Sequence, residues 1–133
     1  MTIDWAYMRK GWVSCKKARE VFSTSNQEIA EEVDAKKEVI GPDQVWAFLQ
    51  SGETVHVASG QKILSFKPDK TNKEQLLNKA TGRTGNLRAP ALRIGKNLYI
   101  GFNTAMYGDL RGWGGGLLGY KNLVTVIGEL LFE

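Results

Sequence analysis

The sequence predicts an α/β domain, entered in the order strand-helix-strand and closed in the order strand-strand-helix, with a helical and hairpin segment between. Three observations predict it. The first residues alternate apolar and polar with period two. After Gly11, apolar residues recur at three- and four-residue spacing. Near residue 95, two β-rich runs meet at a Gly95-Lys96-Asn97 turn.

Taken in order, Ile3, Trp5 and Tyr7 alternate with Thr2, Asp4 and Ala6, which reads as one strand. Ser14 is placed to cap a helix whose apolar face is Cys15, Ala18, Val21 and Phe22, and the polar residues 23–26 end it. Residues 27–33 read as a second strand. Pro42 suits the first position of a helix running to Gln50, with Val45, Trp46 and Leu49 on one face and Gly52 as its stop. Residues 54–58 and 63–66 form a hairpin around Ser59-Gly60-Gln61-Lys62. Pro68-Asp69-Lys70 is a turn, and Asn72 caps a third helix with Leu76, Leu77 and Ala80 inward. A second hairpin covers residues 91–94 and 98–100, and Asn103 caps a last helix through Leu110. This order is that of thioredoxin-like domains. Residues 1–111 complete it. Residues 112–133, a Gly-rich hinge followed by an apolar tail, read as an appendage: an added strand that docks on its own sheet or joins a homodimer.

A chain of 133 residues fits one domain with a core of its own. Its 42% hydrophobic and 24% charged content is that of a globular protein. One cysteine excludes an internal disulfide and a cysteine zinc cluster. One histidine, His56, expected on a strand surface, leaves little material for a metal site or a Ser-His-Asp triad. No apolar run approaches the ~20 residues of a membrane span. The N-terminus does not read as a signal peptide, so a cytoplasmic protein away from membranes is expected. The net charge of +4 is scattered, without the concentrated basic footprint of direct nucleic-acid binding. The exceptions are the charges at 9, 10, 16 and 17, which bracket one loop.

That loop, Lys10-Gly11-Trp12-Val13-Ser14-Cys15-Lys16-Lys17-Ala18, reads as a redox motif without its first sulfur. In C-x-x-C sites the exposed first cysteine attacks and the second, on the helix, resolves. The helix N-terminus and nearby cations lower the thiol pKa. Three residues before Cys15 stands Trp12, which is no nucleophile. Cys15 by itself also fits a small buried hydrophobe, and the two readings are compatible.

With Arg88-Ala89-Pro90-Ala91-Leu92-Arg93-Ile94 and Tyr99-Ile100-Gly101-Phe102-Asn103 added to that loop, the chain resembles the ArsC/Spx-like family, related to arsenate reductases, over roughly residues 2–110. Members carry C-x-x-C or C-x-x-S before a helix, and close with a basic residue and a proline before a strand. In arsenate reductases the arginine directly precedes the proline; here Ala89 intervenes. Some relatives with the K-G-x-x-S-C-K-K-A run resemble selenoproteins, with selenocysteine where Trp12 stands, and the UGA and UGG codons differ by one base. The resemblance implies a thiol- or selenol-dependent reductase acting on an oxyanion, peroxide or disulfide. Position 12 would attack and Cys15 resolve. Lys10, Ser14, Arg88 and Pro90 would line the substrate site, with Ala89-Pro90 as a cis bond. Glutathione, glutaredoxin or thioredoxin would supply electrons, with no resident cofactor or metal. If Trp12 is instead the natural residue, the resemblance implies a redox-inert or redox-sensing Spx-type adaptor, binding a protein such as RNA polymerase.

Overall fold

The structure, a computed structural model, describes residues 2–25 and 27–111. Strand β1 (Thr2–Ile3) and strand β2 (Trp5–Met8) replace the single strand expected at the start. The chain bends between them at Asp4, whose carboxylate accepts the Gly95 N–H at 2.6 Å. Helix α1 (Val13–Thr24) follows and buries Cys15, Ala18 and Phe22, as the 3.6-residue period requires. Its N-cap is Trp12 rather than Ser14. Gly11, at φ +88°, supplies the left-handed turn, and the helix begins as soon as that turn is complete. Ser14 therefore lies inside the first turn.

The second strand is likewise two pieces, β3 (Glu28–Ile29) and β4 (Glu32–Asp34), parallel to β1 and β2 respectively. The break falls opposite the Asp4 bend, so both neighbours turn together. Helix α2 (Pro42–Gln50) has proline at its first position, and Gln44 accepts the Gly41 N–H at 3.3 Å. Gly52 ends it against Leu98; a Cβ there would lie 2.7 Å from the leucine Cγ. Strands β5 (Thr54–Ser59) and β6 (Lys62–Phe66) form the expected hairpin, followed by α3 (Lys73–Ala80). Asn72 stands at the N-cap of α3 without a side-chain cap bond, since its Oδ1 instead accepts the Asp69 N–H at 3.0 Å while its amide nitrogen donates to the Lys67 carbonyl at 2.8 Å. The hairpin β7 (Ala91–Ile94) and β8 (Asn97–Ile100) leads into α4 (Thr104–Arg111).

Six strands form one mixed sheet in the order β4-β2-β7-β8-β5-β6. The β5-β6 hairpin joins through a parallel pairing of β5 with β8, with Val55 opposite Leu98 and Val57 opposite Ile100. Ala6, Tyr7 and Met8 are all buried, so both faces of β2 are covered. Phe48 of α2 packs on Trp5, and Lys73 of α3 lies over Trp46 of α2. On the other pair of helices, Phe22 of α1 stacks on Tyr107 of α4 at 5.9 Å. Leu49, Leu76, Leu92 and Leu98 are fully buried in this core, each stabilising it by roughly 1.5–3 kcal/mol.

His56 is not a surface residue. It is 6% exposed, stacked on Tyr99 at 4.9 Å and 2.7 Å from the Ser65 hydroxyl through Nδ1. The strand is interior, between β8 and β6, which the alternation of a six-residue run does not reveal. Among the described residues no helix is long and apolar enough to cross a membrane. The expected strand or homodimer contact in residues 112–133 lies outside the described residues.

Candidate functional site

Strands β2 and β8 both run antiparallel to β7, so their C-terminal ends meet where β7 begins: Tyr7 pairs with Ala91, and Ala91 with Ile100. That end of the sheet gathers the loop after β2, the start of α1, Pro90 and Gly101. Four of the expected site residues, Lys10, Trp12, Ser14 and Cys15, share the loop and first turn. Lys10 and Ser14 are exposed. Trp12 is 45% exposed, with the Arg9 guanidinium 4.4 Å from its ring centroid. Such a cation–π contact contributes on the order of 0.5–1 kcal/mol at an exposed site.

Cys15 is 2% exposed, and its sulfur accepts the Arg9 backbone N–H at 3.3 Å. Burial pushes the thiol pKa up. The Arg9 N–H, then the charges of Arg19 and Arg9, pull it down without overcoming burial. The lowered pKa expected of a cysteine at a helix N-terminus is therefore reversed at Cys15. Lys16 and Lys17, the cations expected to lower it, are exposed. Arg19 is itself engaged as a two-pronged ion pair with Glu32, at 3.0 and 2.7 Å, which ties α1 to β4.

The Ala89-Pro90 bond is cis, Pro90 is buried, and its carbonyl accepts the Gly101 N–H at 2.8 Å. Arg88 is half-buried. Its Nη1 donates to the carbonyls of Ala58 and Lys79, both at 2.9 Å, and burial lowers its pKa. The guanidinium thereby joins the end of β5 to the last turn of α3, where the helix dipole favours a cation. Gly101, at φ +82°, lets it in; a Cβ there would stand 2.5 Å from Arg88 Nη2.

Sequence reasoning missed two residues here. Arg9 touches both ends of the motif, through its side chain at Trp12 and its backbone at Cys15; the charge at position 9 was visible, its stacking was not. Tyr107 is 1% exposed, packed against Phe22 and Phe102, and its hydroxyl has no hydrogen-bond partner. Nothing in the helical pattern of residues 104–110 marks a buried, unpartnered hydroxyl.

Chemically, this end of the sheet presents an exposed side chain at position 12, a guanidinium against it and a protonated thiol buried in the first turn of the helix. Among the described residues no group of three or more His, Cys, Asp or Glu is placed to hold a metal. No family model, no curated protein and no solved structure matches the chain.

Proposed function

We propose that the chain is a thioredoxin-like domain of the ArsC/Spx-related kind, built for thiol or selenol redox chemistry, in which residue 12 occupies the attacking position and Cys15 the resolving one. The observation that carries this reading is the arrangement at the start of α1: an exposed residue 12 under the Arg9 guanidinium, and a buried Cys15 three residues on. An attacking group needs exposure and a nearby cation; a resolving thiol is kept protonated until the first step is done. The strand order β4-β2-β7-β8, with α1 and α4 packed together, supports the fold assignment. In the form with tryptophan at position 12 the attacking group is absent, and the chain is inactive as a reductase. With selenocysteine or cysteine there, the residue would attack an oxidised substrate, Cys15 would resolve the product, and glutathione or a thioredoxin-type protein would return the electrons.

The test is Trp12→Cys in a Cys15→Ser background, followed by the pH dependence of iodoacetamide alkylation. The expected outcome is a thiol titrating clearly below ~8.5, the value of a free cysteine. Alkylation no faster than that of a model peptide overturns the assignment. Adding Arg9→Ala should move the titration back up.

A second reading has its own observation. Trp12 and Val13 are adjacent, exposed and large, which suits an adaptor that docks a protein partner at this loop. The codon at position 12 in the source gene separates the two: UGA with a selenocysteine insertion element supports the reductase, UGG the adaptor.

A further inference from the structure

The segment from Trp5 to Arg19 holds five basic residues and no acidic one, which leaves 13 basic against 14 acidic residues in the rest of the chain. The whole positive excess of the chain therefore lies in this segment. Its loop is a held turn. The Trp12 N–H donates to the Arg9 carbonyl at 3.4 Å, Gly11 supplies the positive φ, and the Arg9 guanidinium lies 4.4 Å from the Trp12 ring centroid. Backbone and side chain both tie Arg9 to Trp12, and the ring is still 45% exposed. Val13, the first residue of α1, is 65% exposed. Lys16 and Lys17 follow Val13 at three and four residues, the spacing that sets them beside it on one helix face. Both are exposed, as is Lys10. Arg19 is taken up by Glu32. Among the described residues Arg9, Lys10, Lys16 and Lys17 enter no ion pair, and the next acid, Glu20, stands a turn further along the helix.

We propose that this surface docks an acidic segment of a partner protein: one apolar side chain packs on Trp12 and Val13, and flanking Asp or Glu carboxylates meet Arg9, Lys10, Lys16 and Lys17. The inference rests on the second reading above, in which the loop docks a protein, and adds the chemistry of that partner. Charge complementarity selects it. An apolar anchor alone would accept any hydrophobic segment, whereas unpaired cations around the anchor attract carboxylates and turn basic segments away. Tryptophan and arginine are the side chains that most often dominate an interface. A ring already held by Arg9 also loses little freedom when the partner arrives. A nucleic-acid strand would satisfy the lysines equally well. Val13, however, offers a base neither a stacking plane nor a hydrogen bond, and Arg9 already covers one face of the ring a base would use.

The test titrates the full chain into a fluorescein-labelled peptide with a central leucine flanked on each side by three glutamates, read by fluorescence anisotropy. The expected result is saturable binding that weakens as salt is raised. Trp12→Ala should weaken it about tenfold or more, and Lys16→Glu combined with Lys17→Glu should do the same. Lys36→Glu combined with Lys37→Glu, the same change of charge at two exposed lysines outside the segment, should leave it nearly unchanged. Every substituted side chain is exposed, and matching circular dichroism spectra verify that the fold is kept. Equal binding of a peptide with glutamate in place of the leucine overturns the proposal, as does an equal loss from both lysine pairs. Tighter binding of a single-stranded oligonucleotide of the same charge overturns it too. A neutral peptide, with serine for each glutamate, bound as tightly and released by Trp12→Ala would overturn the acidic partner and leave the docking reading standing. No binding of the acidic peptide overturns the proposal, while the docking reading itself stands or falls with the codon at position 12.

Discussion

At the scale of single residues, burial outweighs local charge. Cys15 sits in the first turn of a helix with five basic residues within six positions, yet its thiol pKa is raised, because the side chain points inward while Lys16 and Lys17 point out. His56 follows the same rule. Burial pushes its pKa from 6.5 down to about 4. Between those values the unfolded chain binds a proton that the folded protein refuses, so stability is complete above about pH 6.5 and is lost as the pH falls towards 4. At about 1.4 kcal/mol per pH unit the loss is on the order of 3 kcal/mol. Urea unfolding of the wild type and of His56→Phe at pH 7 and pH 4.5 measures it. The variant should lose less stability on acidification; an equal loss in both proteins would show that other groups, such as carboxylates, account for it. The burial of Cys15 was legible in its helical spacing with Ala18 and Phe22, whereas that of His56 was not, since a lone histidine looks the same on either face of a short strand.

At the scale of elements, one side chain often serves two of them. Asn103 was legible as the cap of α4, and its Oδ1 accepts the Met106 N–H at 2.8 Å. Its amide nitrogen also donates to the Lys62 carbonyl at 2.9 Å, fastening the β5-β6 turn to the start of the helix. Asn103→Ala removes both and is expected to cost about 2 kcal/mol or more, from the lost cap and the stranded carbonyl. Asn103→Asp keeps the cap acceptor and loses the donor, so its stability should fall between the two. Chemical denaturation of the three proteins tests that order, and an aspartate variant no better than alanine would show that the cap contributes nothing. Gly101→Ala acts at another junction. It forces a side chain into φ +82° and against Arg88, so it should destabilise by more than ~1 kcal/mol, where an effect near zero would mean that the loop relaxes freely. Ser14 failed as a predicted cap for a related reason: the cap position is set by where the Gly11 turn ends, and a good capping residue two places on cannot move it.

At the scale of the whole molecule, the sheet is larger than the order of elements suggested. The β5-β6 hairpin, read as a linking section, becomes two strands of the main sheet because β5 pairs with β8. Every strand of that sheet lies between Trp5 and Ile100, and the last described helix ends at Arg111. A chain ended after Arg111 is therefore expected to unfold in one cooperative transition. A broad, non-cooperative transition would show that residues 112–133 are needed for the fold. Light scattering on the same pair of chains tests the homodimer expected of the tail, since equal monomeric masses would rule it out.

The sequence by itself determined the α/β class, the helix at 42–50 and those that begin after Asn72 and Asn103, both hairpins and the loop that carries the motif. These depend on periodicity, glycine, proline and capping residues, whose effects reach only a few positions along the chain. Tertiary structure decided the rest: the pairing of β5 with β8, the burial of His56 and Arg88, the guanidinium of Arg9 over Trp12, and the meeting of Phe22 with Tyr107. Tyr107 lies 85 positions from Phe22 in the chain, and only the shared end of the sheet, set by the antiparallel β7 between two parallel strands, brings their helices together.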